Sequence, residues 1–241
     1  ITDGSNQSTT ASTLGKLISE KLKATLHKQS NPKGATADLL KLCEKHEGDL
    51  LIVPAPFGRD IEVLKDESLG SVVDMLLQES KCPVLCARQP MTEDECRGAL
   101  EDILLPVLDL EHGHKKAAEW AFRLSPKKLE LLGVADEEVI GEARAMFEGA
   151  IDPEALKAEA LNRAVQRDIG SLVAAIQKLA SENEIDLHVE IKTGRPIELT
   201  QTSANSRPRL SVVFTTHDHT NAAHHHAVDV VLGATGPVLV V

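Results

Sequence analysis

The sequence from residue 67 to residue 87, ESLGSVVDMLLQESKCPVLCA, places a Gly-Ser pair at the start of a helical pattern and a short apolar strand at its end. Backbone N–H groups at the start of a helix attract anions, because they lack intrahelical acceptors and lie at the positive end of the helix dipole. Gly70 has no Cβ to block a ligand, and Ser71 adds a hydroxyl group. The pair therefore fits a phosphate site, although Ser71 would serve equally well as a plain N-cap.

Apolar strands alternate with helical patterns throughout the second half of the chain. The predicted strands are DILLPVLDL (102–110), LELLGVAD (129–136), DLHVEIKTG (186–194), RLSVVFTTH (209–217) and GPVLVV (236–241). A long amphipathic helix is predicted over residues 153–184, with Pro153 suited to its first turn. Such alternation is typical of a parallel sheet covered by helices on both faces. The second half is therefore predicted to be a five-stranded α/β unit.

The first half repeats part of this order. It contains ITDGS (1–5) as the end of a strand, two helical patterns (10–27 and 36–48), and the strands DLLIVPAP (49–56) and CPVLCA (82–87). The endings SKCPVLCA and ATGPVLVV are alike, which indicates an internal duplication. One strand–helix–strand unit is missing from the first half, so we predict a break or an interruption near residues 29–34.

This duplication predicts two domains, at residues 1–90 and 102–241. The acidic segment between them, residues 91–101, is predicted to be a solvated linker. Within it, Thr92 and Glu95 have the spacing of a capping box for one short helix.

The composition argues against several classes of protein. A net charge of -11 and a pI near 5.4 disfavour nucleic acids and anionic membranes, and the lack of tyrosine leaves few aromatic platforms for bases. The sequence has neither a run of 18 apolar residues nor a signal peptide, so we expect a cytoplasmic protein without a membrane span. The four cysteines form no paired C-x-x-C knuckles: Cys82 and Cys86 are interpreted as small buried hydrophobes, and Cys43 as packed beneath its helix.

Three stretches together resemble the universal stress protein family. They are the DGS of residues 3–5, the LGSVVDMLLQESKCPVLC of residues 69–86, and the ILLPVLDLEHGHKKAAEWA of residues 103–121. The chain is similar to a tandem member with two UspA-like domains. The resemblance implies two flavodoxin-like sheets, of the type found in adenine nucleotide alpha hydrolases, with strand order 3-2-1-4-5. The first of the two domains would lack strands 2 and 3, which form one contiguous edge of the sheet.

The resemblance also implies how the halves associate. Many members of the family pair through their last strands, so CPVLC is expected to pair with PVLVV in a pseudo-dimer. A homodimer of the whole chain is a further expectation.

ATP-binding members of the family carry the pattern G-x2-G-x9-G-S/T. Here Ala55 stands in the place of the first glycine, Gly58 fits the second, and eleven residues instead of nine separate it from Gly70. The resemblance implies a nucleotide site formed by Asp3, Gly4, Ser5, Gly58, Gly70, Ser71 and Val72, with Asp3 as the acid that faces adenine or ribose. The acidic residues of the loop oppose a polyphosphate unless cations intervene, so a degenerate site that retains only the fold stays open.

The second half has lost the pattern more completely. His224 and His225 stand where the Gly-Ser pair is expected, and Leu108 stands where the acid is expected. This half is therefore interpreted as a partner that binds no nucleotide.

Histidines are concentrated in HDHTNAAHHH, residues 217–226. Neutral imidazoles at this density can bind Zn²⁺ or Ni²⁺, and the candidates are His217, His219, His224, His225 and His226. The alternative is a solvated polar loop.

These observations favour a tandem universal stress protein with a regulatory or binding role, in which ATP acts as a conformational ligand of the first domain. Alternatives are a protein-interaction scaffold without nucleotide, the regulatory tail of a transporter or kinase, and a metal-binding or ATP-hydrolysing protein. The sequence contains no G-x-S-x-G, Walker A or H-E-x-x-H motif, and this absence argues against the alternative of an enzyme.

Overall fold

The secondary structure follows the predicted alternation of helices and strands. The computed structural model describes residues 1–30, 36–58, 69–107, 113–136, 170–216 and 222–241. The helices are α1 Ser8–Leu22, α2 Thr36–Lys45, α3 Ser71–Glu79, α4 Glu93–Glu101, α5 Gly113–Arg123, α6 Gly170–Glu182, α7 Pro196–Asn205 and α8 Ala222–Gly233. The strands are β1 Leu51–Pro54, β2 Val84–Ala87, β3 Asp102–Val107, β4 Lys128–Asp136, β5 Asp186–Gly194, β6 Leu210–Val213 and β7 Val238–Val240.

The strands form one seven-stranded sheet in the order β1-β2-β7-β6-β3-β4-β5. Neighbouring strands are parallel except β2 and β7, which pair antiparallel with Leu85 opposite Leu239. The prediction of an α/β fold with parallel strands and helices on both faces is confirmed. Numbered within the second half, its five strands have the order 3-2-1-4-5 that the resemblance implies. The strands CPVLC and PVLVV pair as the resemblance implies, and this β2–β7 ladder joins the two predicted sheets into one continuous sheet.

The predicted first strand of the first half is the main correction. Thr2 makes only an isolated parallel bridge with Ser30, and the Ile1 nitrogen bonds to the Ile52 carbonyl oxygen at 2.6 Å. The described residues at this position therefore contribute one bridge and no ladder. The predicted interruption at residues 29–34 lies mostly outside the described residues, as does the first part of the helix predicted over 153–184.

The segment predicted as a linker forms α4, and its capping box is confirmed. The Thr92 hydroxyl accepts a bond from the Glu95 N–H, and the Glu95 carboxylate accepts one from the Thr92 N–H at 2.8 Å. The bonds that the Thr92 N–H and the Thr92 hydroxyl donate to the Glu95 carboxylate lower the pKa of Glu95. The first turn is solvated as predicted, but Cys96 and Leu100 are buried in the core. The segment is therefore a packed helix, and the domain boundaries on either side of it stay a prediction.

Side chains on the two faces of the sheet enter two separate cores, as the period of a strand requires. Leu85 of β2 lies in the core that contains α1, α4, α5 and α6, whereas Val84 and Cys86 lie in the core that contains α2, α3, α7 and α8. Because both faces are covered, the strands read as continuous apolar runs. No helix in the described ranges is long and apolar enough to cross a membrane.

A buried ion network joins the amino ends of three neighbouring strands. Arg209, which precedes β6 and is fully buried, donates to Asp102 at 2.6 Å and to Glu130 at 2.9 Å. Burial raises the pKa of Glu130, but hydrogen bonds from Ser203 and Arg209 outweigh that effect and hold the pKa below its usual value. Removing one member would leave an uncompensated buried charge, which is costly.

The approach to β7 leaves no room for a side chain at Gly236. A Cβ added there would lie 2.2 Å from the backbone oxygen of Arg209, which cannot move aside easily. We expect Gly236→Ala to lower the free energy of unfolding by roughly 2 kcal/mol. The matched control is Gly98→Ala in α4, where an added Cβ meets nothing within 4 Å and helix propensity favours alanine by roughly 0.5–1 kcal/mol. Urea denaturation measures the free energy of unfolding of both variants. Equal changes in the two variants would contradict this explanation.

Candidate functional site

Asp3 connects the start of the chain to the loop that follows β1. Its carboxylate is buried and accepts hydrogen bonds from the Ser5 N–H at 2.9 Å, the Ser5 hydroxyl at 2.5 Å, the Ser8 hydroxyl and the Gly58 N–H. Hydrogen bonds to a charged acceptor are stronger than neutral ones. Three residues of the predicted site, Asp3, Ser5 and Gly58, are therefore held together.

Two glycines allow the chain to turn at this connection. Gly4 has a φ of 85° and Gly58 a φ of 77°, a left-handed region that side chains with a Cβ rarely adopt. The buried side-chain amide of Gln7 also donates to the Pro56 carbonyl at 2.9 Å. The turn at the start of the chain and the loop after β1 thus form one hydrogen-bonded unit.

The Gly-Ser pair begins α3, and the glycine holds the capping position. Gly70 is the N-cap, with φ 80° and ψ 144°, close to the region that is nearly restricted to glycine. Ser71 is the first helical residue and is exposed, and Val72 follows it half-buried. The alternative in which Ser71 is the N-cap is therefore wrong, because its backbone is already helical.

The topology places this helix start near the loop that Asp3 holds. A helix that connects two parallel neighbouring strands runs back across the sheet, so it begins at the carboxyl edge and ends at the amino edge. α3 connects β1 to β2 in this way. Gly58 and Gly70 therefore lie at the same edge, where ligands of open α/β sheets usually bind. Residues 59–68, which separate them along the chain, lie outside the described residues.

Charges of both signs lie near this edge. Asp74, in the first turn of α3, has its pKa raised by burial and partly lowered again by His224. Arg88 directly follows β2 and is buried. Cys86, in β2, is affected by both charges. Burial raises the pKa of Cys86 to about 12, Arg88 lowers that pKa in part, and Asp74 raises it further. The sequence interpretation did not include Arg88, although a charged residue directly after a buried strand is a signal that could have identified it.

The described histidines of the predicted metal cluster do not converge. α8 begins at Ala222, so His224 and His226 are buried in its first turns while His225 is exposed. Consecutive residues of a helix point in different directions. Among the described residues, no group of three or more metal-binding side chains occurs. His217 and His219 lie outside those residues, so a site that includes them stays a prediction.

The early start of α8 also distinguishes the second half from the first. His224 is the counterpart of Gly70 but lies inside the helix instead of at its N-cap. Its Nδ1 lies 3.2 Å from the Thr215 hydroxyl. The glycine turn that begins α3 therefore has no equivalent at the start of α8.

His226 is buried without a hydrogen-bond partner among the described residues. Burial, together with the nearby charge of His114, lowers its pKa to about 4. The imidazole is therefore neutral in the folded protein near neutral pH.

Comparisons with known proteins support the fold. No protein-family profile and no curated protein matches the sequence. Among solved structures, a universal stress protein from Archaeoglobus fulgidus DSM 4304 is 16% identical, with a TM-score of 0.51 over 97% of this chain and 76% of that one. The functionally unknown protein PA1789 from Pseudomonas aeruginosa PAO1 is 15% identical, with a TM-score of 0.56 over 96% and 77%. The universal stress protein UspA from Lactobacillus plantarum is 18% identical over 59% of this chain and 97% of its own, with a TM-score of 0.38.

At these identities the similarity shows the fold alone. The Archaeoglobus and Pseudomonas structures match over both halves of this chain. The α/β architecture expected from the sequence is thus shared with solved structures that include a universal stress protein.

The buried His226 predicts a loss of stability in acid. The unfolded chain binds the proton with the ordinary pKa of 6.5 and the folded chain with a pKa of about 4, so protonation favours unfolding. We expect this contribution, roughly 3 kcal/mol, to be present above pH 6.5 and to be lost as the pH falls towards 4. Urea denaturation across this range should show a smaller loss for His226→Leu than for the wild type. The exposed neighbour supplies the control: His225→Leu should retain the full pH dependence, and identical profiles for all three proteins would refute the assignment.

Proposed function

We propose that the protein is a regulatory binding protein of the universal stress type, with one adenine-nucleotide site in its first half. The observation that carries this proposal is the bonding of Asp3 to Gly58, which holds the loop after β1 at the sheet edge where Gly70 begins α3. The solved structures with the same fold include a universal stress protein, which is consistent with such a role.

The phosphates would bind at the start of α3. The first N–H groups of a helix point away from it and lack intrahelical acceptors, and the dipole adds positive potential. Gly70 leaves room for close approach of an anion, and the exposed Ser71 offers a hydroxyl group. The buried guanidinium of Arg88 adds positive charge near the same edge. Asp74 opposes an anion there, and the Mg²⁺ that accompanies ATP would offset its charge.

Asp3 would position the loop and bind the nucleoside. One of its oxygens accepts three hydrogen bonds and the other accepts the Gly58 N–H. The second oxygen accepts only this one bond from a described donor, so it would also accept a ribose hydroxyl. Because most of its acceptor positions are occupied by protein donors, the proposal assigns Asp3 to positioning and not to activation of water. The nucleotide then acts as a ligand and not as a substrate.

The second half would act as a structural partner. The residue that corresponds to Gly70 in the second half is His224, which is buried inside α8. This position offers a phosphate neither a glycine backbone nor an exposed hydroxyl group. We assign the pairing of β2 with β7 as the contact that joins the halves as a pseudo-dimer.

Calorimetry of the full chain with ATP and ADP, each with Mg²⁺, tests this proposal. We expect saturable binding that weakens by about tenfold or more in Gly70→Asp, because the new carboxylate lies where the phosphates would bind. Gly70→Ala imposes a similar backbone strain without the charge and should weaken binding less. Gly98→Asp adds the same charge at an exposed position of α4, and this variant should bind like the wild type.

Each alternative result is distinguishable. Absence of saturable binding by the folded wild type would overturn the nucleotide site and favour a scaffold that binds protein partners. Equal weakening in Gly70→Asp and Gly98→Asp would show an effect of net charge and would also contradict the site.

A further inference from the structure

We propose that Cys43 and Cys82 form a redox site, in which a peroxide converts the two thiols to an intramolecular disulfide between α2 and the turn before β2. This inference does not depend on nucleotide binding.

The two sulfur atoms are already in contact. Cys43 Sγ lies 2.9 Å from Cys82 Sγ, although 39 positions separate the residues along the chain. Both cysteines are present as thiols, so one sulfur donates a hydrogen bond to the other. The bond length of a disulfide is about 2.05 Å, so closure needs a small movement of the side chains.

Neighbouring groups hold each thiol in its place. The Cys43 thiol lies 3.5 Å from the Gly48 carbonyl oxygen, to which it donates. The Ser80 hydroxyl donates to the Cys82 carbonyl at 2.7 Å and lies 3.4 Å from its sulfur. Lys81 and Glu44, the sequence neighbours of the two cysteines, form an ion pair at 3.5 Å. The two segments therefore make a second contact beside the sulfur atoms.

An oxidant can reach this pair. Both cysteines are half-buried and line an open cavity of about 200 Å³, together with Leu40, Glu44, Gly48 and Lys81. Cys86 and Cys96 are fully buried by contrast, and burial raises their pKa to about 12 and about 11. A buried protonated thiol is inert towards oxidants. The chain thus carries two adjacent, half-buried thiols that line an open cavity, and two thiols that are fully buried.

The electrostatics of the pair favour different roles for its members. Burial and the hydrogen bond with Cys82 raise the pKa of Cys43 well above its usual range. Two thiols in contact lose their protons in separate steps, because the second charge would lie beside the first. Because the Cys43 thiol also donates to the Gly48 carbonyl oxygen, we take Cys82 as the sulfur that attacks the oxidant.

The reaction balances with hydrogen peroxide as the oxidant. The Cys82 thiolate attacks one peroxide oxygen and the O–O bond breaks, which gives a sulfenic acid and hydroxide. Hydroxide takes up the proton that Cys82 released and becomes water. Cys43 sulfur then attacks the sulfenic sulfur, the S–O bond breaks, and the departing hydroxide leaves as water with the Cys43 proton. Two thiols and one peroxide give one disulfide and two waters, and a dithiol reductant reverses the change.

The sequence interpretation of Cys82 as a buried hydrophobe did not reveal this contact. That interpretation holds for Cys86, which is fully buried in the core that contains α2, α3, α7 and α8. Cys82 precedes the strand and is only half-buried, beside Cys43.

The test uses the full chain, reduced and then treated with hydrogen peroxide at a small molar excess. Remaining thiols are alkylated, and the protein is digested without reductant for mass spectrometry. We expect one intramolecular Cys43–Cys82 peptide pair that disappears on treatment with dithiothreitol, while Cys86 and Cys96 stay reduced. The oxidised protein should also melt several degrees above the reduced protein, because the bond closes a long loop.

Two variants separate the proposal from general oxidation. Cys82→Ser should form no bridge and show no rise in melting temperature, whereas Cys96→Ala should form the bridge as the wild type does. Alkylation of both thiols after peroxide, conversion of either to a sulfinic acid without a bridge, or a bridge between two chains would each overturn the proposal. The comparison of oxidised and reduced wild type decides the question even if a variant fails to fold.

Discussion

The antiparallel pairing of β2 with β7 is the interaction on which the rest of the structure depends. Among its described residues, the first half contributes β1 and β2 to the sheet, and two strands are too few to be stable alone. The ladder places Cys86 opposite Val238, and both enter one core with α3 and α8. It also covers an edge that each strand would otherwise expose. The first half therefore acquires its core by sharing the sheet of the second.

The direction of this pairing also separates the two ends of the sheet. Because β2 and β7 run in opposite directions, the carboxyl edge of the first half lies beside the amino edge of the second. The start of α3 and the loop held by Asp3 belong to the first of these edges. The proposed nucleotide site therefore belongs to one half alone. The charge of His224 in α8 nevertheless lowers the pKa of Asp74 in α3. The helices that pack beside β2 and β7 therefore bring charges of the two halves together.

The proposed redox pair lies in the same small half. Cys43 and Cys82 fasten α2 to the start of β2, and the stretch between them contains both Gly58 and Gly70. This half depends on few ladder bonds, so contacts such as Asp3 with Gly58 and Cys43 with Cys82 fix the position of its helices and loops. The second half relies instead on longer strands and on the buried network around Arg209.

The sequence by itself determined the α/β alternation, the helix that starts at the Gly-Ser pair and the capping box of Thr92, because apolar periodicity and caps act over a few residues. It also identified Asp3, Gly58 and Gly70 as separate members of a pattern. Only the tertiary structure decided that β2 and β7 pair antiparallel, that α4 packs a buried face, and which thiols meet. These features join residues far apart in the chain, and their contacts depend on how whole elements pack, which no local pattern encodes.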